Sequence, residues 1–254
     1  MTGFEELNFG VDGDSITAGE QWSWHVFKRL GMKSHSNVAV GSSVWYKRTL
    51  EAGGQSVTTQ DYTAADFAGI SDGWEPTDDA AEMQKRANNC AVVHIQRFLD
   101  EYEKGNFPKP DIFAFAMGTN DLDEFRGDPE KALSGKELDG NENIDLFTEA
   151  GAARWCIQTI SERFPDCRIF VMTPIQTADP AHNEKILRTI GCLEKICRGL
   201  SVQLIDAYSG SGICEKFEVM GGTGRYLRDG LHPEVNGQAL EGAFAAKEIR
   251  NNYF

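Results

Sequence analysis

Long apolar runs are missing from this 254-residue chain. Nothing approaches the ~18 residues of a membrane-spanning helix, so no membrane span is expected. Positive charge is scarce as well. Lys and Arg total 25 against 39 Asp and Glu, a formal net charge of -14 and a pI of about 4.8. Such a surface repels phosphate backbones, which argues against a nucleic-acid partner. It also disfavours anionic membrane surfaces and, more weakly, polyanionic substrates. Cysteines number six, and no two form a C-x-x-C pair. That is too sparse for a disulfide scaffold, and most are expected to be buried free thiols. The first residues, Met1 to Leu7, lack a basic region followed by an apolar one. No signal peptide is therefore read in the sequence as given, and a cytoplasmic location is the expectation for it. A secreted or periplasmic location follows only if a leader has been removed. Repeats and low-complexity tracts are absent too.

What is present is ordinary for a globular protein: 41% hydrophobic and 25% charged residues. A chain this long buries most of its apolar surface and needs neither disulfides nor metal to fold. No interdomain linker stands out, so residues 1–254 are read as one domain. Short apolar runs suggest strands at Leu7 to Val11, Asn37 to Val40, Ile112 to Ala116, Ile169 to Met172 and Val202 to Ile205. Between them, apolar residues recur at three- and four-residue spacing. They do so from Met83 to Tyr102, Ala153 to Phe164, Ile186 to Leu200 and Val235 to Ala246, each an amphipathic helix pattern. Alternating strands and helices predict a parallel sheet with helices on both faces and ligands at the carboxyl ends of the strands. Two polar stretches, 51–79 and 121–146, read as long loops.

Four motifs sit where that rule puts chemistry. Gly13-Asp14-Ser15-Ile16-Thr17 follows the first strand, with a helix expected to begin within the next few residues. A serine hydroxyl there would lie near helix amides that favour negative charge. Asp229-Gly230-Leu231-His232-Pro233 precedes the last helix. A turn of that length can fold the carboxylate onto one imidazole nitrogen and leave the other free to take a proton. Met117-Gly118-Thr119-Asn120-Asp121 follows the third strand, and its Asn120 offers an amide donor suited to an oxyanion. Gly41-Ser42-Ser43 follows the second strand, where a glycine amide can be another donor. Taken singly, each has a plainer explanation as a cap or a turn. Taken together they supply a nucleophile (Ser15), a base (His232), an orienting carboxylate (Asp229) and two donors, the set that acyl transfer requires.

These motifs, in this order and at this wide spacing, resemble those of the SGNH hydrolases, or GDSL esterases/lipases. The resemblance spans residues about 7 to 250. It implies a three-layer α/β/α sandwich with a five-stranded parallel, flavodoxin-like sheet. It also implies Ser15 as nucleophile, His232 as base and Asp229 as the triad aspartate. The oxyanion hole would combine the Ser15 amide, the Gly41 amide and the Asn120 side chain. No cofactor and no metal are implied. Asp12 departs from the pattern, since a less charged residue is expected immediately before the first motif.

Two competing patterns fare worse. Asp12-Gly13-Asp14 resembles the start of Mg-dependent dehalogenase-type phosphatases, but Ile16 stands where Thr or Val is expected and no matching Lys and Gly-Asp follow. Gly69-Ile70-Ser71-Asp72-Gly73 fits G-x-S-x-G without the buried strand and helix such an elbow needs. His25, His35, His94 and His182 lack metal-ligand spacing and read as ordinary residues. Trp45 and Trp74 offer aromatic faces for stacking on sugar rings, with core packing or loop anchoring the plainer alternative. The expected function is hydrolysis of small carboxylic esters, with deacetylation of a carbohydrate favoured. A thioesterase, a lysophospholipase and a non-catalytic binding protein of the same fold stay open.

Overall fold

Side chains alternate between the two faces of a strand, and in a parallel sheet both faces are covered, so central strands read as unbroken apolar runs. Ile112-Phe113-Ala114-Phe115-Ala116 is such a run, and every residue of it is buried. It is the middle strand of the sheet in the computed structural model, which describes residues 3–19, 21–73 and 75–253.

The strands and helices follow in chain order. Strand β1 (Asn8–Gly13) leads through α1 (Trp22–Leu30) to β2 (Ser34–Asn37). Next come a hairpin of β3 (Thr49–Ala52) and β4 (Gln55–Thr58), then α2 (Ala80–Ala87), α3 (Ala91–Glu103) and β5 (Ile112–Ala116). The short α4 (Pro129–Ala132) precedes α5 (Glu149–Arg163), β6 (Arg168–Met172) and α6 (Pro180–Leu200). Strand β7 (Gln203–Ile205), α7 (Ala207–Gly210) and α8 (Val235–Tyr253) complete the chain. The five-stranded sheet is parallel in the order β2-β1-β5-β6-β7. The chain leaves β1 toward β2 and returns to its other side at β5. The carboxyl ends of β1 and β5 thus flank the crevice where such sheets bind ligands.

Alternation sorts the core into two layers. Phe113, Phe115, Ile169 and Val171 pack against α3, α5 and α6. Phe9, Val11, Ala114, Phe170 and Met172 pack against α1 and α8. Trp22, Val26 and Leu30, four residues apart, form the buried stripe of α1. Burying one ring such as Phe98 or Phe113 stabilises the fold by roughly 1.5–3 kcal/mol. The same alternation that buries Phe9 and Val11 under α1 and α8 turns Gly10 and Asp12 toward α3. A side chain at Gly10 would strike Phe113.

The three-layer sandwich expected from sequence is therefore present, with local corrections. The second strand is Ser34–Asn37, not Asn37 to Val40. It is an edge strand whose register is set by pairing with β1, from Asn8 with Ser34 to Val11 with Asn37. The periodic stretch from Met83 to Tyr102 is two helices, interrupted at Asn88-Asn89-Cys90. The first polar stretch begins with the β3–β4 hairpin. The second holds a 3-10 turn at Asp123–Phe125 and α4. Among the described residues, no helix is long and apolar enough to cross a membrane.

Candidate active site

Strand β1 ends at Gly13, and the chain turns at once. The amides of Thr17 and Ala18 both donate to the Asp14 carbonyl, at 2.9 and 2.8 Å. Ser15 sits half-buried within that turn. The expected helix does not begin there, since α1 starts at Trp22, so the Ser15 hydroxyl gains nothing from a helix terminus. Asp14 does not cap a helix either. Its carboxyl accepts from the Ile16 amide at 3.0 Å. Burial pushes that carboxyl up, against opposing contributions from the Ile16 amide, Thr119 and His232.

The Asp229 turn is pinned by its own hydrogen bonds. Leu227 bridges Pro233, and the Arg228 amide donates to the His232 carbonyl at 2.9 Å. Gly230 stands at φ 83, and a Cβ there would strike backbone atoms of Val219 and Met220, so no side chain fits. Asp229 Oδ1 accepts from the amides of Leu231 (3.0 Å) and His232 (2.7 Å), and Oδ2 lies 2.8 Å from His232 Nδ1. Partial burial acts to raise the Asp229 carboxyl. Its bonds to the His232 amide, the imidazole and the Leu231 amide outweigh that and hold it at about 2. An ionised carboxylate only accepts, so Nδ1 carries the proton and the neutral imidazole keeps its lone pair on Nε2. Ser15 Oγ is 2.9 Å from that nitrogen. Residues 217 positions apart in sequence thus join in one hydrogen-bonded line, Ser15–His232–Asp229.

Asn120 follows β5 through Gly118, whose φ of 127 and close contact with Thr189 exclude a side chain. Asn120 Nδ2 donates to the Ser43 carbonyl at 3.0 Å. A carbonyl cannot donate, so the amide orientation is fixed and the second N–H of Nδ2 is left to point elsewhere. Ser43 Oγ in turn donates to the Gly13 carbonyl at 2.9 Å. The Gly41 turn, the Asn120 loop and the end of β1 are thereby tied together. Gly41 is buried, and the Asp72 carboxylate fills the space where a side chain would stand. A cleft of about 330 Å³ opens beside Asn120, lined by Thr119, Leu122, Asp179, His182, Lys185 and Leu231 among others.

Trp45 is not part of this surface. It is 0% exposed, with its ring 5.5 Å from that of Phe115, so no sugar can stack on it. Trp74 lies outside the described residues. The G-x-S-x-G match at Gly69–Gly73 lies in a loop, where Ser71 donates to Glu82. Asp12, the nucleophile a dehalogenase-type phosphatase would need, is fully buried against His94 and cannot meet a phosphoester. No group of three or more His, Cys, Asp or Glu among the described residues is arranged to hold a metal ion.

Sequence reasoning missed two buried polar features near the site. Glu241 of α8 is 1% exposed, and burial, reinforced by the charge of Asp14, raises its carboxyl well above the usual range. Asp12, His94 and Asn89 form a fully buried hydrogen-bonded chain. The only sequence signal for either was a charged residue inside an apolar pattern.

The model of the GDSL-like lipase/acylhydrolase family matches residues 13–242. Among solved structures, the chain is similar to a carbohydrate acetylesterase from Sinorhizobium meliloti at 14% identity and a TM-score of 0.52, covering 97% of this chain and 99% of that one. It is similar to a lipase/acylhydrolase from Enterococcus faecalis at 15% identity and a TM-score of 0.51, covering 96% of each. A protein from Lactobacillus plantarum aligns over 100% of both chains at 13% identity and a TM-score of 0.60. Identities this low establish a common fold. No curated protein matches the chain in sequence.

Proposed function

The chain belongs to the GDSL-like lipase/acylhydrolase family, and from that premise we propose that it is a serine hydrolase of small carboxylic esters, with carbohydrate O-acetyl esters as the favoured substrates. The observation that carries the reading is the line Ser15 Oγ–His232 Nε2–Asp229, with separations of 2.9 and 2.8 Å. His232 Nε2 accepts the Ser15 proton as Oγ attacks the ester carbonyl, and Asp229 stabilises the imidazolium that forms. The carbonyl oxygen becomes an oxyanion. It receives hydrogen bonds from the Ser15 and Gly41 amides and from the Nδ2 proton of Asn120 that is not engaged with Ser43. As the tetrahedral intermediate collapses, His232 returns the proton to the departing alcohol. Water, activated by His232 in the same way, then releases the acid from Ser15.

The lining of the cleft beside Asn120 supports this choice of substrate class. Asp179, His182 and Lys185 give donors and acceptors for hydroxyl groups, whereas Leu122, Ala181 and Leu231 are too few to sheathe a long acyl chain. That balance suits an acetyl group on a polyhydroxylated alcohol. Rates on acetylated sugars and on p-nitrophenyl esters of increasing acyl length, with Ser15→Ala as control, test the reading. Turnover should be highest for acetyl esters, be abolished in Ser15→Ala and be unaffected by EDTA. Activity that survives Ser15→Ala, or that EDTA removes and Mg²⁺ restores, would refute it.

A further inference from the structure

Asp12 points from β1 into the apolar layer under α3, where a charge is costly unless it is paired. It is 0% exposed, as are His94 and Asn89. Asp12 Oδ1 accepts from the Gly13 amide at 2.8 Å and lies 2.8 Å from His94 Nδ1. His94 Nε2 lies 3.1 Å from Asn89 Oδ1, and Asn89 Nδ2 donates to the Gly41 carbonyl at 2.7 Å. The direction of this chain is fixed by its last member. The Gly41 carbonyl only accepts, so Asn89 must turn its NH₂ toward Gly41 and its oxygen toward His94, and His94 Nε2 must donate. The other ring nitrogen, Nδ1, is held by the Asp12 carboxyl. No member can reverse without breaking the chain.

The network also closes on itself. Gly13, whose amide bonds Asp12, accepts from Ser43 Oγ through its carbonyl, and the Ser43 carbonyl accepts from Asn120. Between Gly41 and Ser43 stands Ser42 at φ 60, a left-handed conformation that a non-glycine residue holds only when its surroundings impose it. The turn carrying the proposed Gly41 donor therefore does not hold its shape alone.

We propose that Asn89 and His94 are positioning residues for ester hydrolysis, which hold the Gly41 amide in register with Ser15 through a buried chain anchored on Asp12. The proposal rests on the serine hydrolase reading above. Such residues act on the developing oxyanion, not on the ground state, so their loss lowers kcat and leaves KM in place.

The test uses Asn89→Leu, which removes both hydrogen bonds at similar volume. Its control is Asn88→Leu, an equally buried neighbour whose bonds run to Gln60 and Gly69 instead. Kinetics on p-nitrophenyl acetate are paired with hydrogen exchange of the peptide containing Gly41 to Ser43. Asn89→Leu should lower kcat about tenfold or more with KM within about twofold, and speed exchange in the turn. Asn88→Leu should retain the kcat of folded wild-type protein even where its melting temperature falls equally. His94→Gln keeps a donor near the Nε2 position and should retain more kcat than His94→Asn, which does not. Unchanged exchange at the turn, or equal kcat losses in Asn88→Leu and Asn89→Leu, in an enzyme that is otherwise active would overturn this inference alone. A wild-type protein that hydrolyses no ester would overturn the parent reading and the catalytic role of Asn89 and His94 with it.

Discussion

Replacing Asn120 with alanine removes two interactions whose consequences are separable. The first is the 3.0 Å bond from Nδ2 to the Ser43 carbonyl. It is partly buried and neutral, so its loss costs about 1 kcal/mol. For a chain of this size that lowers the melting temperature by roughly 2–4 °C. Against a typical total stability of about 5–15 kcal/mol, the variant stays folded. The second is the free Nδ2 proton offered to the oxyanion. Removing one such donor costs ~10²–10³ in rate, or roughly 3–4 kcal/mol of transition-state stabilisation. Asn120→Ala should therefore melt slightly earlier, bind ester with unchanged KM and turn over about a hundredfold or more slowly. Asn120→Asp sharpens the contrast. It preserves the shape but presents a negative oxygen to both the Ser43 carbonyl and the oxyanion, and should be slower still. Measuring kcat, KM and melting temperature on the same preparations decides the matter. A folded Asn120→Ala enzyme with kcat within about threefold of wild type would show that its side chain only ties down a turn.

Two further outcomes follow from the electrostatics. Asp229→Asn keeps an acceptor for the Leu231 and His232 amides but turns an NH₂ toward Nδ1, which moves the imidazole proton to Nε2 and removes the lone pair that Ser15 needs; kcat should fall about 10³–10⁴-fold, and near-normal turnover would exclude Asp229 from the mechanism. Glu241 is raised well above its ordinary 4.5 by burial and then by the Asp14 charge, so above about pH 5 the unfolded chain gives up a proton that the folded one keeps, and stability falls as pH rises. The urea midpoint should drop between about pH 5 and 8 and drop less in Glu241→Gln; equal drops would locate the effect elsewhere.

Sequence legibility followed how local the determining physics was. Strand β5 was readable residue for residue because burial on both faces imposes an unbroken apolar run. Strand β2, Ser-His-Ser-Asn, was not, because an edge strand is held by backbone pairing with β1 and needs no apolar side chains. The break between α2 and α3 was hidden for a related reason. Asn88 and Asn89 interrupt a continuous helical period, and the bonds that compensate for the interruption run to Gln60, Gly69 and Gly41. Helix α1, expected within a few residues of Ser15, begins only at Trp22, because a turn closed by the Thr17 and Ala18 amides on the Asp14 carbonyl comes first.

The site divides along the same line. Ser15, Asn120 and the Asp229–His232 pair sit in short motifs at element ends, where residue type and position together carry the signal. Trp45 offered a stacking face by its place after the Gly41 turn, with core packing the plainer reading, and its burial against Phe115 follows the latter. The chain from Asp12 through His94 to Asn89 joins residues 82 and 5 positions apart on different elements. In the sequence it showed only as a charged residue that the resemblance did not explain.

The central claim is that Ser15 is a nucleophile activated by His232. A fluorophosphonate probe reports on it without any assumption about the natural ester, because it captures the serine whose hydroxyl is being deprotonated. Mass spectrometry of the labelled, digested protein should place the adduct on Ser15 in the wild type. Ser15→Ala should take no label, and His232→Ala should label far more slowly while remaining folded. An adduct on another serine, or equal labelling rates in wild type and His232→Ala, would contradict the account.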